Sequence, residues 1–236
     1  MKFNKDGKFT ILNISDIQDG YPINTLTKKY IEDTVDMVKP DLIVLTGDNI
    51  SGYDVPEKEQ AELAIREFME IFEERKIKVA AVFGNHDDQD THKGSTKDEK
   101  LAKYMSYDNC LAYDADPALH GSGTHNLEIL SSDGTKTAFN LWMMDSGDYI
   151  EGGYDCVRAD QLEWYKGVSE ELEAANGGKV VPSLLFQHIP VKEIYQFLEK
   201  VSFSEAGDDA VFSIDEFAWF KLNDKVIEGV LGEVPC

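Results

Sequence analysis

Through the first half of the chain, short apolar runs alternate with stretches whose apolar residues recur every three or four positions. Residues 9–14, Phe9-Thr10-Ile11-Leu12-Asn13-Ile14, read as a buried strand. Leu26, Tyr30, Ile31, Val35 and Val38 then recur at helical spacing until Pro40, whose ring and missing N–H stop a helix. Residues 41–46 form the next apolar run. A longer helix is expected to open near Pro56, where a missing N–H costs nothing, with Ala61, Ala64, Ile65, Phe68 and Phe72 on one face. Residues 78–83 supply a third strand. The order β-α-β-α-β predicts parallel strands joined by right-handed crossovers.

The second half has a different pattern. Residues 126–130 and 137–144 flank Asp133-Gly134, a turn pair that predicts an antiparallel hairpin. A helix over about 160–175 is expected to bury Leu162, Tyr165, Val168 and Leu172 and to stop at Gly177-Gly178. Residues 180–186 read as another buried strand, followed by a helix with Pro190 in its first turn and Ile194, Phe197 and Leu198 on its apolar side. Residues 202–236 pattern weakly. With no internal repeat and no low-complexity segment, 236 residues of 42% hydrophobic content make one large α/β domain over 1–236.

The charge is unbalanced, 45 acidic residues against 23 basic, for a formal net charge of −22. Such a field repels polyanions, so nucleic acid is not an expected partner, and the excess reads as a solvated surface. Cys110, Cys156 and Cys236 are odd in number and far apart, which predicts free thiols and a reducing compartment. The start of the chain has no apolar segment of signal-peptide length, and no run of about 18 apolar residues occurs anywhere. These features predict a soluble, cytoplasmic protein without membrane attachment. Two glycosylation sequons, at Asn13 and Asn49, would matter only in a secreted chain.

The chemistry gathers at the strand ends. Strand one runs into Ser15-Asp16-Ile17-Gln18-Asp19-Gly20, strand two into Thr46-Gly47-Asp48-Asn49, and strand three into Gly84-Asn85-His86-Asp87. The run over 180–186 ends in Gln187-His188-Ile189-Pro190. Carboxyl ends of parallel strands lie along one edge of an open sheet, so Asp16, Asp48, Asn85 and His188 are expected to share a crevice. Each residue alone has a plainer explanation in turn chemistry or core packing. Together they make a mixed oxygen and nitrogen donor set suited to Mn, Fe or Zn. Two such ions held about 4 Å apart can serve an in-line phosphoryl displacement. Glycine before Asp48 and before Asn85 permits a sharp turn and leaves room for a phosphate.

These motifs, in this order, resemble the calcineurin-like metallophosphoesterase superfamily. Residues 14–20 together with Asp155-Cys156-Val157-Arg158-Ala159-Asp160-Gln161-Leu162-Glu163-Trp164-Tyr165 are similar to its branch related to purple acid phosphatases. The resemblance implies a two-sheet sandwich flanked by helices on both outer sides (αββα). It also implies two metal ions and hydrolysis of phosphomonoesters or phosphodiesters of small molecules or proteins. In that scheme Asp48 bridges the ions, Asp16 ligates the first, and Asn85 and His188 ligate the second. His86 binds phosphate and protonates the leaving oxygen, as suits an imidazole that titrates near the working pH.

Two departures qualify the scheme. Gln18 stands where the family usually has a histidine, and it either ligates weakly or only fills the space. The family's closing Gly-His-x-His is missing, since no histidine follows His188. The chain therefore reads as C-terminally incomplete, without the last strands of the fold, impaired as a catalyst and expected to hold one of two metals more tightly than the other. A non-catalytic descendant that binds metal or phosphate is the alternative, and an acidic interaction protein without metal chemistry is a third reading. His92 reads as a solvated loop residue, His120 and His125 as structural. Asp145, Asp148, Tyr149 and Tyr154 either line a substrate pocket or sit in a surface loop. Trp142, Trp164 and Trp219 read as packing residues.

Overall fold

The computed structural model describes residues 1–55, 57–89, 95–151, 153–191 and 194. The chain divides into two compact units, Met1–Ile189 and Pro190–Cys236. The second lies almost wholly outside the described residues, and with it the expected helix carrying Phe197 and Leu198, and also Trp219. His92 and Pro56 fall outside them as well.

The first three strands are β1 (Ile11–Ile14), β2 (Leu42–Thr46) and β3 (Lys78–Val82), and they form one parallel sheet in the order β1-β2-β3. The crossovers are α1 (Thr25–Val38) and α2 (Lys58–Glu74). Side chains of the sheet alternate between two cores, as a period of two requires. Ile43, Leu45, Val79 and Ala81 pack with Ile31 and Val35 of α1 and with Ala61, Ala64, Ile65, Phe68 and Phe72 of α2. Leu42, Val44, Ala80 and Val82 face the other way and meet Ile129, Leu141 and Met143.

Those three residues belong to a second sheet, in the order of β4 (His125–Leu130), β5 (Thr137–Met143) and the strand Ser183–Phe186. A small hairpin, β6 (Tyr149–Ile150) and β7 (Gly153–Tyr154), precedes that last strand, here β8. β4 and β5 pair antiparallel across the expected Asp133-Gly134 turn, and β5 pairs β8 in parallel. Trp142 points outward from β5 to α4 (Ala159–Ala175), with ring centroids 5.7 Å from Trp164 and 4.6 Å from Tyr165. The layers are thus helices, sheet, sheet, helix, the αββα arrangement that the resemblance implies.

Several expectations need correction. In α1 the buried residues are Ile31 and Val35, while Leu26 and Tyr30 are 77% and 74% exposed. Five residues advance a helix by about 140°, so Leu26 and Ile31 lie on different faces. In α4 the fully buried position is Gln161, and Leu162 is exposed. The Gln161 amide donates to Thr124 Oγ1 at 2.9 Å and to the Asp145 carbonyl at 2.7 Å, so a polar side chain fills a place that hydrophobic periodicity passes over. β8 is not the buried strand expected: among the described residues it lies at the end of its sheet, with Leu184 and Leu185 exposed and Phe186 packed on the inter-sheet core.

A helix absent from the sequence reading, α3 (Lys97–Met105), packs Leu101 and Tyr104 into the first core. Its capping box was legible: Thr96 Oγ1 accepts the Glu99 N–H, and the Glu99 carboxylate accepts the Thr96 N–H. Cys110 is a free thiol, whereas Cys156 is disulfide-bonded, which overturns the expectation of free thiols and removes that argument for a reducing compartment. Among the described residues, no helix is long and apolar enough to cross a membrane.

Candidate metal centre

The backbone leaves β1, β2 and β3 through tight turns on one edge of the sheet. Asp16, Gln18 and Asp48 hold left-handed conformations with φ of 56°, 44° and 50°. Such conformations are costly for residues with a Cβ and tend to cluster at functional sites. The turns are stitched together: Asp16 N–H donates to the Gly47 carbonyl at 3.1 Å, and Gln18 N–H donates to the Asp48 carbonyl at 2.9 Å. Gly47 has φ of 96°, and a Cβ there would lie 2.8 Å from the His188 Cβ. A Cβ on Gly84 would lie 2.6 Å from the Asp48 nitrogen and 2.7 Å from His188 Cδ2. Only glycine allows these loops to approach so closely.

Asp16, Asp48 and His188 each offer a ligand atom, and those atoms all lie within 4.8 Å of one another. Asp16 is exposed, Asp48 buried and His188 half-buried. His188 Nδ1 faces the Thr46 carbonyl at 3.0 Å, which makes it the donor nitrogen and leaves Nε2, 3.1 Å from Asp48 Oδ2, as the nitrogen that could coordinate a metal. Gln18 also reaches the cluster, with Nε2 donating to Asp48 Oδ2 at 3.1 Å. The donor chemistry fits a cation: two carboxylates and an imidazole converge, and the turns around them are too tight for a side chain to fill the space. Burial opposes the charge on Asp48, but hydrogen bonds from His188 and from the His86 N–H outweigh it and hold the carboxyl below its ordinary pKa. Burial likewise lowers His188, and Asp48 more than compensates, so its pKa is raised.

Asn85 and His86 follow β3. The Asn85 Nδ2 donates to the Tyr149 hydroxyl at 2.6 Å, so Oδ1 is the amide atom that could face a metal. His86 N–H donates to Asp48 Oδ1 at 2.7 Å, while its ring Nε2 lies 3.9 Å from Asp48 Oδ2. Its Nδ1 is 2.5 Å from Gln89 Oε1, so Nδ1 carries the ring proton of the neutral side chain and Nε2 is left on the Asp48 side. Beneath them Asp87, 1% exposed, accepts N–H groups from Gly84, Asn49 and Ile50. Burial raises its pKa to about 6.

All five sequence-predicted ligands and the expected proton donor thus lie on neighbouring turns. The reading missed Gln89 and the organising role of Asp87. It left Tyr149 undecided between pocket and surface; the structure places its hydroxyl against Asn85 with the ring half exposed. Asp145 is fully buried, with Lys97 Nζ 3.2 Å away, and with Asp148 it lines a cavity of about 380 Å³. A larger cavity of about 620 Å³, lined by Lys39, Arg75 and Lys76, sits at the opposite ends of the strands and takes no part in this site. His125 is buried with Nδ1 on the Gly123 carbonyl at 2.7 Å, and His120 faces Asp155 at 3.4 Å.

Comparison with known proteins agrees with this geometry. Probable inactive purple acid phosphatase 29 of Arabidopsis thaliana is 28% identical over 237 residues, covering 85% of this chain and 59% of its own length. Probable inactive purple acid phosphatase 14 of the same plant is 28% identical, covering 84% of this chain and 57% of its own. Phosphatase DCR2 of Saccharomyces cerevisiae is 26% identical, covering 80% of this chain and 36% of its own. The chain thus spans about three fifths, or less, of the length of these curated relatives. The model of the calcineurin-like phosphoesterase family matches residues 9–213, a span that holds every strand-end residue of the cluster. On that match the chain belongs to the calcineurin-like phosphoesterase family.

Proposed function

We propose that the protein is a metal-dependent phosphoesterase that hydrolyses phosphomonoesters or phosphodiesters of small molecules or proteins. The observation that carries this reading is the convergence of Asp16, Asp48 and His188 within 4.8 Å, beside Asn85 and His86 on the adjoining turn. Asp48, Asn85 and His188 would hold one ion, and Asp16, Asp48 and the weak donor Gln18 the other, from among Mn, Fe and Zn. When bound, the metals supply charge to stabilise the phosphoryl group and lower the pKa of water at the site. Around them, the protein's own groups orient and protonate. The Gly84 and Gly47 turns admit the phosphate closely, and Gln89 fixes the His86 ring through Nδ1 so that, in the imidazolium form, Nε2 can give its proton to the leaving oxygen and return to the neutral ring.

A second reading has specific support. Gln18 spends its amide on Asp48 rather than offering an imidazole, and two similar proteins carry names that call them inactive. On that reading the chain binds a metal or a phosphate without turnover. One experiment separates the two. The protein is dialysed against Mn, its metal content measured, and an aryl phosphate and its bis-ester supplied at several pH values. The leading reading expects bound Mn and hydrolysis, with Asp48→Ala losing both. Bound Mn without hydrolysis would favour the second reading, and no bound Mn would sink the leading reading and leave the second with phosphate binding alone.

A further inference from the structure

The β6–β7 hairpin does more than border the site. Tyr149 and Tyr154 are paired across it in register, their rings 5.3 Å apart at 31°, and each is 49% exposed. Ile150 beside them is 41% exposed. Two half-exposed tyrosines on a two-residue hairpin would ordinarily be mobile surface residues. Here the Tyr149 hydroxyl is tied down at the site itself. It accepts from Asn85 Nδ2 at 2.6 Å, and Gln89 hydrogen-bonds the same hydroxyl. Gln89 in turn holds His86 Nδ1 at 2.5 Å. A single phenol therefore joins the amide expected to ligate metal to the glutamine that orients the expected proton donor. The base of the hairpin is closed by Asp155 N–H donating to the Asp148 carbonyl at 2.9 Å.

We propose that Tyr149 is the positioning and recognition residue of this site: its hydroxyl orients Asn85 and, through Gln89, His86, while its ring and that of Tyr154 form a ledge for an aromatic leaving group. The inference rests on the metal-site reading above. A donor amide whose N–H is taken by a fixed partner presents its oxygen in one direction, and outer partners of this kind affect metal affinity by about ten-fold or more. The ledge follows from position, since an exposed aromatic pair lies one hydrogen bond from Asn85, within reach of the alcohol portion of a phosphoester bound at the cluster. Stacking on it favours an aryl group over a methyl group by about five-fold.

The test measures binding, so it does not depend on turnover. Calorimetry with the full chain gives the Mn affinity, and then the affinities of phenylphosphonate and methylphosphonate for the Mn-loaded protein. The wild-type protein is expected to prefer phenylphosphonate about five-fold. Tyr149→Phe keeps the ring and loses the hydroxyl, so Mn affinity should fall about ten-fold while the aryl preference persists, with the thermal midpoint unchanged. Tyr149→Ala should lose both, and Tyr154→Ala only the aryl preference. Equal affinities for the two phosphonates in the wild type, or wild-type Mn affinity in Tyr149→Phe, would overturn the proposal while leaving the metal site intact. Failure of the wild type to bind Mn would instead remove the metal-site reading, and this inference with it.

Discussion

Asp87 Oδ1 accepts the backbone N–H of Asn49 at 2.9 Å, joining the turn after β3 to the turn after β2. The same carboxylate takes the Ile50 N–H at 3.1 Å and the Gly84 N–H at 2.7 Å. It is a buried brace for the two loops that carry Asp48 and Asn85. Asp87→Ala would leave three buried donors without their acceptor, each costing about 1–3 kcal/mol in principle and fewer in sum if the loops relax. A loss of about 3–5 kcal/mol in urea denaturation is expected, together with weaker Mn binding. Asp87→Asn keeps one acceptor oxygen and should lose less. An alanine variant as stable as the wild type would show that the brace is dispensable.

Gly84 faces the opposite constraint. A Cβ there would press on the Asp48 nitrogen and on His188 Cδ2, at 2.6 and 2.7 Å, and one of these is backbone that cannot rotate away. Gly84→Ala should therefore cost about 1–3 kcal/mol and separate Asp48 from His188. The informative measurement is Mn affinity beside thermal stability. Gly134, at a turn with nothing near its Cβ position but with φ of 76°, supplies the control. Gly134→Ala should lower stability through backbone strain alone and leave Mn binding untouched.

His86 touches Asp48 through its backbone N–H at 2.7 Å, whereas its ring nitrogen stays 3.9 Å away. Replacing the side chain preserves the backbone contact. His86→Ala is expected to leave Mn content unchanged and to lower kcat by about a hundred-fold, the range for losing a positioned proton donor. If metal content falls in proportion to activity, the ring is a ligand after all.

The strand-end cluster was legible because short motifs, each weak alone, fall at the ends of β1, β2 and β3, where the parallel sheet dictates their meeting, while His188 joins them from the end of β8 in the second sheet. The alternation of β2 was less so. An unbroken run such as Leu42-Ile43-Val44-Leu45 looks the same whether one face or both are buried, and only the second sheet, packed on Leu42 and Val44, explains it. Polar residues doing core work escaped the pattern altogether. Gln161 is fully buried because Thr124 and Asp145 satisfy its amide, and Lys97 is buried because Asp145 and the Gly147 carbonyl receive its ammonium. Neither partner is near in sequence. Tyr149 and Gln89 likewise act through contacts between separate loops, which spacing along the chain does not encode.

His125 supplies a pH dependence away from the metal site. Its ring is fully buried on β4, 4.9 Å from the Tyr113 ring, with Nδ1 on the Gly123 carbonyl and Nε2 without a hydrogen-bond partner. Burial lowers its pKa from 6.5 to about 4, with the Gly123 carbonyl only partly opposing it. The unfolded chain takes up that proton more readily than the folded one, so stability rises with pH across this interval. The contribution is complete above pH 6.5, shrinks as pH falls, and is lost once pH passes below about 4. The shift corresponds to about 3 kcal/mol at most. Urea denaturation at intervals between pH 7 and pH 4.5 should show a decline in stability that His125→Phe flattens, whatever the variant costs at neutral pH. Parallel curves for the two proteins would mean that some other group carries the acid sensitivity and that His125 keeps its neutral form for reasons of packing alone.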